Sequence, residues 1–423
     1  MLQCGLTFKR ELQICMRLIN KTVFILGATR FDGPYESTSF TTAKYLAKEN
    51  KVYYIDYPYT WKDAIRQRKD AKFLLRKKAF KRSKEAILDT DIGNLKIVIL
   101  PLLLSINFLP ESGLYRFLLN INESKIVSRL QEIILNETIT DFIFINSFNF
   151  HYPGLINKVG ATLKIYHCVD PLVIDYDTRH GIQSELEICK HADLIFCTSK
   201  ALFNDKIKLN NNTFFIPNAA DLTHSSKALD ADLPIYPDLI SIPKPIVGYF
   251  GNIERRIDFE LLQHVANMNK DKSFVFAGPV TQEYIPDDFR RLKNVFFIGR
   301  IPFMDMPSVI KGFDVCIIPF KKDQFSTTIF PLKLFEYLGS GKPVVSTDFN
   351  TDLEEFTKGT VSFSTSAEEF SVHLNTVLND DTQYAKNKRL EVATENTWDN
   401  RLSTFSEVIN DFYQHKTGKS KYD

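Results

Sequence analysis

The chain has 423 residues, which exceeds one typical domain and predicts two or three hydrophobic cores. Its formal charge is +2, from 53 basic and 51 acidic side chains, so no overall electrostatic field attracts it to nucleic acid. The 35 Phe and 17 Tyr residues favour packed cores and exclude a largely disordered chain.

The cysteines and apolar runs indicate the compartment. The six cysteines form no Cys-x-x-Cys pair and no metal-ligand spacing, which predicts reduced, buried thiols of a cytosolic protein. Charged residues interrupt the first twenty positions, unlike a secretory signal. The longest apolar run, 97–109, is interrupted and too short to span a bilayer. We therefore expect a soluble or membrane-peripheral protein in the cytoplasm.

The first half of the chain alternates short β-branched runs with helical stretches. A helix is predicted over 40–49, after the first strand. The predicted strands are 21–27, 51–56, 95–100, 141–146, 164–168, 193–198 and 213–217. This alternation indicates a parallel sheet with right-handed crossovers and helices on both faces. The first strand ends in Gly27-Ala28-Thr29-Arg30, which is not the Gly-x-Gly-x-x-Gly of a dinucleotide-binding fold, so an oxidoreductase is poorly supported.

One segment of the first half is strongly basic. Residues 62–84 contain eleven Lys and Arg against two Asp. Trp61, Ile65, Phe73 and Phe80 lie beside or among these cations. A basic helix with interleaved aromatic residues can lie on an anionic lipid surface. The alternative is a solvated charged helix or a loop.

The alternation of predicted strands and helices stops after the first half of the chain and resumes in the second half. Residues 223–244 carry three prolines with little periodicity, which indicates a linker. Further strands are predicted at 245–251, 273–278, 295–299, 314–319 and 343–347. The sequence therefore predicts a second α/β domain. A ligand of such sheets is expected at the carboxyl ends of the strands.

The block FPLKLFEYLGSGKPVVST, residues 330–347, is the most informative part of the chain. Pro331 suits a helix start, and Gly341 suits a helix end in the left-handed conformation. Free amides at the helix entrance, after residues 326–328, suit a phosphate or a polyhydroxylated ligand. Lys333 and Glu336 share one helix face, where one can reach an anion and the other can accept hydrogen bonds from a diol. The alternative is an ordinary surface pair.

Four motifs in this order carry a family resemblance. They are YHCVD at 166–170, HADLIFCTS at 191–199, IPNAAD at 216–221 and PLKLFEYLGSGKPVVST at 331–347. With them the chain resembles the retaining glycosyltransferases of the GT-B fold, family 4 (glycosyl transferases group 1), in the branch similar to teichuronic-acid and other cell-surface polysaccharide enzymes. The resemblance covers roughly 164–401 by motif and the first 160 residues by architecture.

The resemblance implies two facing Rossmann-like domains of the α/β class. It implies an N-terminal extension over 1–20, an acceptor-side domain over 21–222, a linker over 223–244, a donor-binding domain over 245–394, and a C-terminal helix and tail over 395–423 that cross back to the first domain. The expected donor is a nucleotide-diphosphate sugar, used as co-substrate without another cofactor. The expected acceptor is a lipid-linked molecule or a glycan. The basic segment 62–84 adds an anionic membrane surface as an expected partner, and nucleic acid is not expected.

The family motif Glu–seven residues–Glu is only half present. Glu336 matches the second glutamate, which contacts the nucleotide ribose in the family. Thr328 stands at the first position, where the family glutamate contacts the donor sugar, so donor choice and activity are both in question. Asn252 replaces the arginine that the family uses to neutralise the diphosphate. Arg255 or Arg256 could supply one cation, although a local salt bridge of Arg256 with Asp258 is the alternative.

The remaining site expectations also follow from the resemblance. The donor-binding set is Gly251, Asn252, Arg255, Gly278, Gly299, Thr328, Leu334 and Glu336. The catalytic set is His167, Arg256 and Lys333, with His167 facing the donor sugar unless it is a half-buried histidine satisfied by the backbone. The acceptor set is Arg30, Asp32, Tyr35, Glu36 and Asp170, unless these are polar residues of a tight turn and a cap. His180, His191 and Asn218 are interpreted as structural.

No metal site is expected, because no Asp-x-Asp triplet lies in a metal-binding context. Side-chain cations and helix amides would then stabilise the leaving diphosphate. Retention of configuration is attributed in this family to front-face attack, for which positioning and charge stabilisation matter most. Two alternatives stay open. One is an isomerase of the nucleotide-sugar 2-epimerase type on the same fold, and the other is a non-catalytic glycosyltransferase-like binding or scaffold protein.

Overall fold

The computed structural model describes residues 17–33, 37–172 and 175–418. They form two compact units. The first domain comprises the described residues up to Cys197, Asp205–Ile216 and those from Leu402 onward, and the second comprises Thr198–Asn204 and Pro217–Arg401. Within the described ranges, no helix combines the length and apolar character needed to cross a bilayer.

The first domain is built on an eight-stranded sheet with the order β3-β4-β2-β1-β5-β6-β7-β8, in which only β3 is antiparallel. Its strands are β1 Thr22–Gly27, β2 Lys51–Ile55, β3 Ile87–Asp89, β4 Leu95–Val98, β5 Ile143–Ser147, β6 Leu163–Cys168, β7 Leu194–Cys197 and β8 Thr213–Phe215. The central strand β5 is buried at every position. That burial is expected of a parallel sheet with helices on both faces, which needs continuous apolar strands.

The helices of the first domain follow the predicted alternation, with additions. They are α1 Thr38–Leu46, α2 Trp61–Arg66, α3 Ala71–Arg76, α4 Gly113–Asn136, α5 Leu155–Lys158 and α6 Asp175–His191, and α7 Lys200–Lys206 joins the two domains. The basic segment is two short helices, not the single helix that its composition suggested. The break occurs because Asp70 caps α3 by accepting hydrogen bonds from the amides of Lys72 and Phe73.

The second domain has a six-stranded parallel sheet with the order β11-β10-β9-β12-β13-β14. Its strands are β9 Ile246–Phe250, β10 Ser273–Ala277, β11 Val295–Gly299, β12 Val315–Ile318, β13 Val344–Thr347 and β14 Val361–Ser364. Its helices are α8 Leu222–Ser225, α9 Phe259–Met268, α10 Asp287–Arg290, α11 Met306–Gly312, α12 Leu332–Gly339, α13 Asp352–Thr357, α14 Ala367–Asn379 and α15 Gln383–Glu395. The prediction of two Rossmann-like domains is confirmed.

The segment 223–244, interpreted as a linker, packs against the second domain. Pro237 begins a 3₁₀ turn, Pro237–Leu239. Leu239 is 2% exposed and belongs to the hydrophobic core of that domain. Apolar burial therefore fixes this segment where composition alone suggested a free connection.

The last helix, α16 Trp398–Thr417, begins in the second domain and belongs to the first domain from Leu402 onward. Leu402, Phe405 and Ile409 recur at helical spacing and are buried. The ring of Phe405 lies 4.1 Å from that of Phe196 in β7. From Leu402 onward, this helix is therefore part of the compact first domain.

Candidate active site

The best-defined candidate site lies at the carboxyl ends of β9 and β10 in the second domain. Gly251 follows β9 with φ 141° and Gly278 follows β10 with φ 144°, both in the region that side chains rarely adopt. A Cβ at Gly278 would meet the Gly251 carbonyl oxygen at 2.0 Å, so these two loops touch through their backbones. The amide of Gly251 donates to the Ala277 carbonyl at 2.8 Å. Close backbone packing therefore shapes this end of the sheet.

Lys333 reaches these loops from the first turn of α12. Its Nζ donates a hydrogen bond to Tyr249 Oη at 2.6 Å and lies 4.0 Å from the centroid of that ring. Tyr249 in turn donates its hydroxyl proton to the Asn252 carbonyl at 2.9 Å. A Cβ at Gly251 would lie 2.5 Å from Nζ, so the missing side chain at Gly251 makes room for this ammonium.

Burial shifts the protonation of Lys333 and Glu336 in opposite directions. Desolvation lowers the pKa of Lys333 to about 7, with the positive charge of Arg256 adding to the effect and Glu336 opposing it. Desolvation raises the pKa of Glu336 to about 7, which the charge of Asp221 reinforces and Lys333 opposes. The two do not form a direct ion pair, and the Glu336 carboxyl accepts no hydrogen bond from the part of the chain that the structure describes. The simple surface pair that sequence allowed is therefore wrong.

The entrance of α12 is built mainly by its own backbone. Pro331 is the N-cap and supplies no side-chain hydrogen bond, whereas Gly341, with φ 72°, ends the turn after the helix as predicted. Thr328 donates its hydroxyl proton to the Phe325 carbonyl at 2.6 Å. That bond ties the hydroxyl at the first motif position to a local turn instead of directing it at a ligand. Leu334 is fully buried in the core, so its side chain is not a donor contact.

The cations after β9 have local partners. Arg256 pairs with Glu254, not with Asp258, and its guanidinium lies 5.7 Å from the Phe320 ring centroid. Asp258 instead caps α9 by accepting from the Leu261 amide at 3.0 Å. Arg255 is exposed, with its guanidinium 5.8 Å from the centroid of Phe325. Asn252 is also exposed, and Gly299, at the end of β11, has open space where a Cβ would be.

Two residues that sequence analysis did not assign to the site lie near α12. Asn218 donates from Nδ2 to the Phe330 carbonyl at 3.3 Å, and its Oδ1 is buried without a hydrogen-bond partner in the described chain. A buried acceptor without a partner is costly, which makes it a candidate for a ligand donor. Tyr249 was also missed, because a tyrosine in a strand usually signals packing.

His167 does not present its ring at an open surface. It is 4% exposed at the end of β6, its Nδ1 lies 3.4 Å from Ser147 Oγ, and its ring is 5.3 Å from that of Phe405. Burial lowers its pKa to about 4, so the ring is neutral near pH 7. The predicted role of facing the donor sugar is corrected to that of a packed core histidine.

The acceptor candidates of the first domain separate into distinct environments. Arg30 stacks on Tyr59 with 3.5 Å from its guanidinium carbon to the ring centroid, and its buried Nε has no hydrogen-bond partner within the described residues. Asp32 is held by Arg76 through contacts of 2.8 and 2.9 Å, so an internal ion pair occupies its carboxylate. Asp170 is exposed. Tyr35 and Glu36 lie outside the described residues.

Arg76 connects this loop to the basic segment. Its side chain is fully buried and also contacts Asp56 Oδ2 at 2.7 Å. Burial raises the pKa of Asp56, and the Arg76 charge opposes that rise. The Phe31 amide donates to the same carboxylate at 3.0 Å. Arg76 therefore fixes the loop after β1, where composition suggested a membrane-facing cation.

Part of the second domain resembles a known protein family. Residues 244–380 match a family model described as Glycosyl transferases group 1. Over 214 residues the chain is 29% identical to a protein of Bacillus subtilis (strain 168), provisionally named the teichuronic acid biosynthesis glycosyltransferase TuaH. That match covers 47% of this chain and 53% of the relative, so the chain spans about half the length of the curated relative that it matches.

Solved structures are similar over nearly the whole chain. Sucrose-phosphate synthase from Thermosynechococcus elongatus is 13% identical, with 94% of this chain and 100% of that chain covered and a TM-score of 0.64. Anabaena HepE in complex with UDP is 13% identical, with 92% and 100% covered and a TM-score of 0.61. An α,α-trehalose-phosphate synthase (UDP-forming) from Burkholderia vietnamiensis is 11% identical, with 96% and 99% covered and a TM-score of 0.65. The chain therefore has the GT-B type of fold, with two Rossmann-like domains, and its residues 244–380 are similar to the glycosyl transferases group 1.

Proposed function

We propose that this protein is a retaining glycosyltransferase of cell-surface polysaccharide synthesis. It transfers a sugar from a nucleotide-diphosphate sugar, bound by the second domain, to a glycan or lipid-linked acceptor bound by the first. The observation that carries the proposal is the half-buried Lys333 ammonium beside Gly251, which has a tyrosine hydroxyl but no carboxylate as its hydrogen-bond partner. A buried cation without an anion is a site that an anionic ligand stabilises.

The donor diphosphate would lie between Lys333 and the glycine loops. Its charge would compensate the ammonium and restore the lysine pKa toward its ordinary value, so binding takes up a proton near neutral pH. The absence of side chains at Gly251 and Gly278 would let phosphate oxygens approach backbone amides. The first amides of α12 add a favourable dipole. Arg255, which has no carboxylate partner among the described residues, could approach from solvent.

Glu336 would bind the ribose of the nucleotide. It lies one helical turn from Lys333, and its carboxyl accepts no hydrogen bond from described residues, which leaves both oxygens for a diol. Asn218 Oδ1, buried and also without a partner, would accept from a hydroxyl or a base amide. Thr328 would not contact the donor sugar unless its bond to Phe325 breaks.

Catalysis on this proposal depends on charge stabilisation and positioning. Lys333, assisted by Arg256 if its pairing with Glu254 loosens, would stabilise the leaving diphosphate without a divalent ion. The leaving phosphate would take the proton of the attacking acceptor hydroxyl on the same face of the sugar, so the anomeric configuration is retained. His167 has no part in this scheme, because its neutral ring is packed against Phe405.

The acceptor would bind to the first domain. Arg30 offers a guanidinium stacked on Tyr59, without an ion-pair partner in the described ranges, and suits a phosphate or a sugar hydroxyl. The basic surface of 62–84 would hold the protein at an anionic membrane, where lipid-linked acceptors are presented.

Nucleotide binding and turnover test the proposal directly. Titration calorimetry with UDP, GDP and their sugar nucleotides should detect binding that Lys333→Met weakens. Lys321→Met, at an exposed lysine of the same domain, is the matched control and should bind like the wild type. Transfer of sugar to acceptor, unchanged by EDTA, is the expected activity. Conversion of donor without acceptor would indicate the isomerase, and binding without any turnover would indicate the scaffold. The family model and the curated relative, both described as glycosyltransferases, favour transfer.

A further inference from the structure

A cavity of about 760 Å³ lies on the first domain. Its walls come from the segment around α3, from the residues after β4 and from one face of α4. Phe73 and Phe80 form a buried aromatic floor, with ring centroids 5.1 Å apart. Trp61 lines the cavity while 54% of its surface stays exposed. The cavity is therefore apolar at its base and open to the surface.

A buried guanidinium lines the same cavity. The side chain of Arg129 is 7% exposed, and its Nη1 donates to the carbonyls of Ala79 and Ile99 at 3.0 and 2.8 Å. Its nearest carboxylate, of the exposed Glu132, is 3.9 Å from Nε. Nη2 donates no hydrogen bond to the described part of the chain. A buried cation with so distant a counter-charge favours an anion at this point.

The rim adds further positive charge. Lys77, Lys81 and Lys125 line the cavity, and none of the three forms an ion pair with a described residue. Glu132 is the acidic lining residue. Three lysines and an arginine against one glutamate leave the cavity strongly cationic. Charge complementarity therefore selects an anionic occupant.

Exposed apolar side chains continue the cavity outward. On α4, Phe117 is 62% exposed and lies one helical turn before the lining residue Ile121. On α2, Ile65 is 75% exposed and lies one helical turn after the lining residue Trp61. Large apolar groups among cations are typical of surfaces that enter the headgroup layer of a membrane.

We propose that this cavity binds one anionic phospholipid from a membrane surface, with the phosphate at Arg129 and Lys125 and an acyl chain over Phe73 and Phe80. The inference rests on the proposed membrane association and deepens it from a charged surface to a defined lipid site. A free phosphate ion would satisfy the cations but would leave the aromatic floor and exposed apolar rim without a role. The combination of both features selects a lipid.

Short-chain phosphatidylglycerol, used below its micelle concentration, tests the cavity without a membrane. In a Trp398→Phe background, Trp61 is the single tryptophan and its emission should shift to shorter wavelength on binding. Ser124→Phe fills the cavity and should abolish the shift. Gln131→Phe, at an exposed position of α4 that does not line the cavity, is the control and should keep it. Equal binding by both variants, or none by the parent protein, would overturn the proposal.

Vesicles then distinguish the source of the anion. The protein should co-sediment with phosphatidylcholine vesicles only when phosphatidylglycerol is included. The double variant Lys77→Gln/Lys81→Gln should lower that partitioning by roughly 25-fold, about fivefold for each cation removed. Lys190→Gln/Lys208→Gln, with the same charge change elsewhere on the first domain, should lower it much less. Inorganic phosphate or glycerol 3-phosphate that binds as tightly as the short-chain lipid would show a soluble-phosphate site and refute the lipid.

The outcome is independent of the proposed transferase activity. Neither experiment contains a nucleotide, and apart from the Trp398→Phe background the substituted positions belong to the first domain. If the protein binds UDP or GDP normally but does not bind the lipid, only the proposal of a lipid site is refuted. Lipid binding without any nucleotide binding would leave the lipid site standing and remove the proposed donor site.

Discussion

Replacement of Glu336 by Gln should make the protein more stable at alkaline pH and less able to bind nucleotide. The carboxyl of Glu336 is half-buried, accepts no hydrogen bond from described residues, and lies within range of the Asp221 charge. Its ionised form is therefore poorly compensated in the folded, ligand-free protein. Gln has nearly the same shape but never carries the charge. The substitution isolates the cost of that charge.

The magnitude follows from proton linkage. Folding raises the pKa of Glu336 from its ordinary 4.5 to about 7, so the folded chain binds more protons than the unfolded chain between these values. The free energy of unfolding of the wild type should therefore fall as pH rises from about 4.5 to about 7 and stay lower above it. The full shift corresponds to about 3 kcal/mol, and partial exposure of the group reduces it to roughly 1–3 kcal/mol. Lys333 titrates in both proteins, so its contribution largely cancels from the difference.

The assay is urea-induced unfolding at about pH 5 and about pH 8.5. Trp398 fluorescence in a Trp61→Phe background follows the transition. Glu336→Gln should match the parent protein at the lower pH and exceed it by roughly 1–3 kcal/mol at the higher pH. Its affinity for UDP or GDP should fall about tenfold to hundredfold, as expected when a charged hydrogen-bond acceptor is lost. A stability difference that does not grow with pH would refute the buried-charge reasoning, and unchanged affinity would remove Glu336 from ribose binding.

Three further substitutions test separate parts of the structure. Lys333→Met should lower the affinity for nucleoside diphosphates about tenfold to hundredfold, measured by calorimetry. The wild type should lose affinity as pH rises through about 7, because Lys333 deprotonates, and the variant should not show this pH dependence. Gly251→Ala places a Cβ 2.5 Å from the Lys333 Nζ, at a backbone φ of 141°. It should reduce nucleotide affinity, and it should lower the free energy of unfolding by about 1–3 kcal/mol, seen as a lower melting temperature. Arg76→Met should lower the free energy of unfolding by about 3–5 kcal/mol in denaturant unfolding, because it leaves the buried Asp56 without its counter-charge. Lys78→Met, at an exposed position of the same segment, should cost little.

The strands were the features most accessible from sequence. Runs such as 143–147 and 315–318 are buried on both faces, so each reads as a continuous apolar stretch between turn residues. The short edge strands Ile87–Asp89 and Val361–Ser364 were missed, since an edge strand needs less apolar sequence. The long helix Gly113–Asn136 was also missed, because polar residues such as Glu123 are buried in its packed face and blur the helical pattern.

Side-chain partners were the features least accessible from sequence. Asp32 and Arg76 are 44 positions apart, and their ion pair depends on the packing of α3 against the loop after β1. His167 illustrates the same limit, since its neighbour Phe405 comes from the last helix of the chain. Local patterns identify which residues are polar or apolar. They do not identify which distant residue forms a hydrogen bond or ion pair with each polar residue, or which one packs against it.

The departures from the family motif have different physical consequences. Thr328 lacks the charge of the expected glutamate, and its hydroxyl donates to the Phe325 carbonyl in a local turn. At position 252 asparagine stands in place of the expected arginine, but another element of the second domain brings a cation to the loop after β9. Lys333 extends from α12 into the space beside Gly251, and the Tyr249 hydroxyl holds its ammonium at the loop after β9. On the proposed binding mode, the diphosphate would therefore meet a positive charge that comes from a helix and not from the loop. Because a binding protein and an enzyme both need that charge, Asn252 does not favour the scaffold alternative, and only the missing glutamate at position 328 still distinguishes the two.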